Sequence, residues 1–119
     1  MEYTKDDLID FSMVQNLIDL GGDGGKDFLK EIIDLYIEQY PELFNNIKES
    51  SIKNENVQMY QSAHALKGAS LNIGAKEIAS LCKQIELKGK ENDMAQIPEL
   101  VNTLEFVYPL TINELKKLY

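Results

Sequence analysis

The sequence of 119 residues contains no arginine, no tryptophan, one cysteine, one histidine and three prolines. Each shortage removes a class of function. A single Cys and a single His cannot build a His/Cys zinc site or an internal disulfide, so disulfide scaffolds and most metal centres fall away. Nucleic-acid-binding domains carry a basic excess with Arg among their contacts, whereas here twelve Lys stand against twenty acids for a net charge of −8. No nucleic-acid partner is expected. No apolar run approaches the roughly 18 to 20 residues of a membrane-spanning helix. The segment Met1 to Asp10 holds four acids, the reverse of a basic-then-apolar export signal. A cytoplasmic chain without a membrane partner is therefore expected, and the initiating Met leans towards a free-standing protein. Cys82, at helical spacing from Ile78 and Ile85, reads as a small buried hydrophobe and not as a reactive thiol.

What is present is globular and helical. Hydrophobic residues make up 44% and charged residues 27%, enough apolar content for one core, and the length suits a single domain over residues 1–119. A capping-box pair, Ser12 and Gln15, opens a short helix with Met13, Leu17 and Leu20, closed by Gly21 and Gly22. A long second pattern from about Lys26 to Glu49 places Phe28, Ile32, Leu35, Leu43 and Ile47 on one stripe and predicts a kink at Pro41. The third helix runs from about Glu55 to Ile73 with Met59, Ala63, Leu66, Ser70 and Ile73 inward, and Gly74 lets the chain turn. A fourth covers about Lys76 to Lys88, with Gly89 where a left-handed cap belongs. Asp93 with Gln96 is a second capping-box-like pair, before a last helix whose apolar face is Ile97, Leu100, Val101, Leu104, Val107 and Tyr108; Pro109 either kinks or ends it. No period-two segment is long enough for a core strand. The expected architecture is all-α, an antiparallel four-helix bundle with a short additional N-terminal helix.

One stretch spends stability without a packing reason. Gly68 stands in mid-helix, where glycine costs roughly 1 kcal/mol relative to Ala. On the helical wheel Gly68 and Leu71 fall within about 40° of His64, and Lys67 about 60° to the other side. His64 lies about 100° round from the inward Ala63, so its imidazole should reach solvent. Open space at Gly68 would admit a phosphoryl group or a partner's loop, and the Lys67 ammonium could neutralise phosphate oxygens. A free imidazole, with a reference value of about 6.5, offers a neutral ring nitrogen as nucleophile near neutral pH. Between Tyr60 and Lys90 five Lys face two Glu, a local +3 that leaves −11 on the remainder. That positive island would attract an anionic group or an acidic face, less so at high salt.

The run of His64, Leu66, Lys67, Gly68, Ser70 and Gly74 resembles the core pattern of histidine-containing phosphotransfer (HPt) domains. The resemblance extends over about Phe11 to Val107, including the mid-helix Pro41. It implies that His64 takes a phosphoryl group from one receiver-domain aspartate and passes it to another, with Lys67 holding phosphate and Gly68 giving access. Glu86 falls where the family often carries Gln or Glu beside the imidazole, and the resemblance implies that it orients the ring; as a carboxylate it would favour a protonated ring and repel phosphate. The implied partners are response-regulator receiver domains and a hybrid sensor histidine kinase, met by a monomer. The expected docking patch includes Met13, Val57, Leu71 and Lys83. No cofactor is expected on this chain, with Mg²⁺ belonging to the receiver. Without a P-loop or a kinase Gly-rich motif the chain should not phosphorylate itself from ATP. A non-catalytic helical adaptor that binds receivers is the alternative. An O-ligand metal bundle is disfavoured because the bundle lacks a Glu-x-x-His pair.

Overall fold

The structure, a computed structural model, describes residues 2–119. Six α-helices follow one another: α1 (Lys5–Leu8), α2 (Phe11–Leu20), α3 (Gly25–Ile52), α4 (Asn56–Asn72), α5 (Lys76–Lys90) and α6 (Ile97–Lys116), with a 3₁₀ turn at Gly22–Gly24 and no strand among the described residues. The chain reverses in the same way after α3, α4 and α5. A residue in the left-handed region follows each helix, Asn54 (φ 57°), Gly74 (φ 78°) and Asn92 (φ 54°). The next amide in each case donates back to a carbonyl five residues earlier, Glu55 to Ser50, Ala75 to Ser70 and Asp93 to Lys88, all at 2.9 Å. These are Schellman closures, which satisfy the orphan carbonyls of a helix end and turn the chain sharply.

Each sharp turn returns the next helix alongside the last. Helix α3 packs on α4, α4 on α5 and α5 on α6, and α6 closes on α3. At about 1.5 Å per residue α3 runs roughly 42 Å, most of the longest dimension of 47 Å. The core between the four helices includes Leu29, Ile33, Tyr36 and Tyr40 of α3, Met59, Ala63 and Leu66 of α4, Ile78, Cys82 and Ile85 of α5, and Val101, Leu104 and Val107 of α6. Tyr36 and Ser70 share a buried hydrogen bond of 2.7 Å, and Ser70 Oγ also donates to the Leu66 carbonyl, which ties α3 to α4. Tyr40 stacks on Tyr108 of α6, ring centres 3.5 Å apart.

The N-terminal part holds two short helices where the sequence predicted one. Thr4 and Asp7 form a capping box that starts α1, which lies on α5 and α6 and buries Leu8 and Ile9. Helix α2 begins at Phe11 because Asp10, and not Ser12, is its cap: the Asp10 carboxylate accepts from the backbone amides of Ser12 and Met13. Asp10 also donates its amide to the Gly74 carbonyl at 2.8 Å, pinning the N-terminal segment to the α4–α5 turn. A Cβ at residue 74 would lie 2.8 Å from the Asp10 carbonyl oxygen, so this turn requires glycine for space as well as for its positive φ.

Several further expectations are corrected. Leu20 is 77% exposed, outside any core. The buried stripe of α3 is Leu29, Ile33, Tyr36, Tyr40, Phe44 and Ile47, so Leu35 is an exposed side chain and Phe28, Ile32 and Leu43 are only partly buried. As expected, Pro41 does not split α3, and Pro109, whose effect the sequence left open, does not end α6: both lie inside continuous helices. Each proline is exposed, on a side where water can take the carbonyl that loses its partner. Helix α5 extends to Lys90, and Gly89 is one of its buried residues; the left-handed cap is Asn92. Gln96 precedes α6 without a side-chain cap, and Asp93 accepts from the amide of Ala95 and pairs with Lys88 at 3.8 Å. No helix of the described residues is long and apolar enough to cross a membrane.

Candidate functional site

The α4–α5 hairpin carries an unusual charge arrangement. Glu86 points from α5 towards α4 with its side chain only 6% exposed, and three donors converge on it. His64 Nδ1 lies 2.8 Å from Oε2, Lys67 Nζ 2.7 Å from Oε1 and Lys90 Nζ 3.2 Å from Oε2. Burial alone would push the Glu86 carboxyl up; hydrogen bonds from Lys67, Lys90 and His64 overcome this and hold it down to about 2. Glu86 is therefore an anion at neutral pH, and an ionised carboxylate only accepts hydrogen bonds. The proton of a neutral His64 must then sit on Nδ1, which leaves the lone pair on Nε2 of a side chain that is 66% exposed.

Around the ring the surface is open on one side and lined on the other. A Cβ built on Gly68 meets no atom within 4 Å, so nothing inside the molecule demands glycine there. Tyr60, Gln61, His64, Glu86 and Lys90 line a hollow of about 400 Å³, with Lys90 5.8 Å from the centre of the Tyr60 ring. Gly89 brings α5 close to α4 below this hollow: a Cβ there would lie 2.9 Å from Met59 Cε and Tyr60 Cβ. Among the described residues no group of three or more His, Cys, Asp or Glu side chains is arranged to hold a metal ion. Cys82 is fully buried, and burial pushes its thiol up to about 12, so it is not poised for nucleophilic or redox work.

The sequence-predicted site residues divide into two groups. His64, Lys67 and Glu86 meet directly, and Gly68 lies beside them on α4. Val57 and Leu71, both half-exposed, stand seven residues before and after His64, about 10 Å along the same face at each step. Met13 is half-buried and lies against the Gly74 turn, at the end of α4 that carries Leu71. Lys83 is exposed one turn before Glu86, whose ion-pair partners are His64, Lys67 and Lys90. Two residues escaped the sequence reading. Lys90, which the sequence places only within the positive island, stands four after Glu86, the spacing of a helical ion pair. Leu35, assigned to the core, lines a shallow groove between α3 and α4 with Ile32, Ala69 and Ile73.

A helical bundle that presents one solvent-facing imidazole, backed by an ionised carboxylate and two lysines, belongs to the class of histidine-presenting bundle domains. The Hpt domain family model matches residues 31–117, and the chain belongs to that family. It is 35% identical over 66 residues to histidine-containing phosphotransfer protein 2 of Arabidopsis thaliana, covering 53% of this chain and 42% of that protein. Phosphorelay intermediate protein YPD1 of Saccharomyces cerevisiae is 28% identical over 107 residues, 87% of this chain and 64% of YPD1. The chain thus spans between about two fifths and two thirds of the length of these curated relatives. The crystal structure of histidine-containing phosphotransfer protein B from Pseudomonas aeruginosa superposes with a TM-score of 0.82 at 19% identity, over 92% of this chain and 91% of that one. That likeness shows the four-helix-bundle fold.

Proposed function

We propose that the chain is a phosphoryl carrier, accepting the group from a receiver-domain aspartyl phosphate on His64 and delivering it to another receiver. The observation that carries this reading is the hydrogen bond from His64 Nδ1 to Glu86. It fixes the tautomer and leaves Nε2 as an exposed nucleophile beside the open surface of Gly68. In the transfer the Nε2 lone pair forms the bond to phosphorus, the bond from phosphorus to the aspartyl oxygen breaks, and aspartate leaves as a carboxylate. Such a step asks for in-line positioning and charge neutralisation more than for covalent assistance. Glu86 orients the ring. Lys67 and Lys90, both held on Glu86, supply the nearby cationic charge, with Lys67 turning from Glu86 to the transferred group.

On this reading the chain is a carrier without kinase activity of its own, monomeric, cytoplasmic and free of cofactor, with Mg²⁺ held by the receiver. Its partners are response-regulator receivers and a hybrid sensor histidine kinase. Receivers dock over the face that runs along Val57, His64, Gly68 and Leu71, extended by Leu35 of α3 and Met13 of α2, with Lys83 at the edge. The test is incubation with a phosphorylated receiver. An acid-labile, base-stable phosphoprotein is expected, lost in His64→Gln. Label retained in that variant overturns the assignment of the acceptor, and binding of receivers with no transfer makes the chain an adaptor.

A further inference from the structure

Position 86 carries a charge where a neutral amide of the same shape would also reach the ring. An amide serves either protonation state of an imidazole, because its oxygen accepts from an N–H and its NH₂ donates to a lone pair; a carboxylate serves only the protonated nitrogen. When Nε2 of a neutral ring bonds to phosphorus, the ring gives up an electron pair, the departing aspartate keeps the pair of the broken P–O bond, and the ring becomes an imidazolium. Its one remaining N–H is Nδ1–H, facing Glu86 Oε2 at 2.8 Å. Loss of that proton would set a lone pair against a carboxylate at hydrogen-bond distance.

The groups around the pair strengthen this bias. From α4 come Lys67 and Tyr60, and from α5 Lys90; Lys67 and Lys90 are the ion-pair partners of Glu86, and Tyr60 lines the same hollow. If either lysine turns to phosphoryl oxygens, Glu86 loses counter-charge and its attraction for the Nδ1 proton grows. The proton still stays on the ring, because a free imidazole is more basic than a free carboxylate by about two units. We propose that the negative charge of Glu86 holds the Nδ1 proton on the ring after phosphorylation, so that the phosphoryl group stands on an imidazolium and is a labile, readily transferred group. Bond cleavage then expels neutral imidazole and not its anion. Glu86 acts as a positioning and charge-setting residue through His64, and the inference rests on the carrier reading above.

The experiment loads the intact chain with phosphoramidate, which phosphorylates imidazoles without a receiver, and follows the ³¹P resonance of the phosphohistidine against pH. Free Nε2-phosphohistidine, which carries the same phosphoryl charge, is the reference. The titration midpoint in the chain should lie about one pH unit or more above the reference, the effect of a carboxylate within hydrogen-bond reach. Glu86→Gln should bring it back most of the way and slow hydrolysis of the phosphoprotein above neutral pH by about tenfold, the equivalent of one unit. Coincident midpoints for the chain and the free amino acid overturn the proposal. That comparison requires no variant, so it decides the matter even if Glu86→Gln folds poorly. Failure of phosphorylated receivers to load a chain that phosphoramidate loads counts against the carrier reading alone, and the midpoint still decides the role of Glu86.

Discussion

Replacing Gly68 by alanine should make the protein more stable and its transfer slower. The site is in mid-helix with no atom within 4 Å of a built Cβ, so the new methyl meets no clash and only the backbone preference counts. Glycine in a helix interior costs roughly 0.5 to 1 kcal/mol relative to alanine. Unfolding entropy of about 2.1 cal/mol/K per residue over 119 residues converts that gain into a rise in Tm of about 2 to 4 °C. Differential scanning calorimetry checks the stability, and single-turnover transfer from a phosphorylated receiver checks the rate. The methyl stands beside His64 on the face proposed for receiver docking. A larger group, Gly68→Leu, that displaces the phosphoryl group by about 1 Å should cost on the order of 100-fold in rate. A fall in Tm for Gly68→Ala would refute the open-space argument. Unchanged transfer in both variants would refute the use of that space by a partner.

Gly89→Ala should behave in the opposite way, losing about 1 kcal/mol or more despite better helix propensity, because its Cβ would press within 2.9 Å of Met59 Cε and Tyr60 Cβ; urea titration measures it. For Glu86 the sign is set by a carboxyl held down to about 2 in the fold against about 4.3 when unfolded. Its stabilisation is present above about 4.3 and is lost as pH falls towards 2; at this partly solvated edge it should amount to about 1 to 2 kcal/mol. Lys67→Met, which removes one partner, should lower stability at pH 7 and flatten the acid limb of the stability-pH curve; an unchanged limb would show that Lys67 does not support the charge. Cys82, buried and with its thiol pushed up to about 12, should resist an aromatic disulfide reagent in the folded chain and react only at the rate of unfolding. Fast labelling would contradict its burial.

How much of this could be read from the residues differed from helix to helix. On α4 the inward set Met59, Ala63, Leu66, Ser70 and Ile73 is buried as expected, although Val57 and Leu71 leave apolar side chains on the opposite face. Helix α3 carries apolar side chains on two faces. Aliphatic residues alone select Ile32, Leu35 and Leu43, whereas the core selects Tyr36, Tyr40 and Phe44, since an aromatic ring buries a large apolar area; the Tyr36 hydroxyl pairs with Ser70, and Tyr40 stacks on Tyr108. Cap chemistry was ambiguous in the same local way. Asp10 and Ser12 are both good caps, and the Asp10 amide bond to Gly74, made across the fold, accompanies the choice of the first. Gly89 looked like a helix terminus because glycine usually is one, but here it makes room for Tyr60 and Met59. At the site, His64, Lys67 and Gly68 were visible from one helix, while the convergence of Lys90 on Glu86 depended on how α4 and α5 pair.

The tight Gly74 turn has a further consequence for how the molecule is assembled. His64 and Glu86 are only 22 residues apart, and Lys67 and Lys90 lie on the same two helices, so the charge cluster is the product of one helical hairpin with low contact order. Local contacts of this kind form faster than pairings between distant chain segments. The surface offered by α2 and α3, including Met13 and Leu35, is built from sequence outside that hairpin. The proposed docking face is thus divided: its centre on α4 comes with the chemistry, whereas substitutions along α2 and α3 can retune its edge while the imidazole keeps its tautomer and its counter-charge.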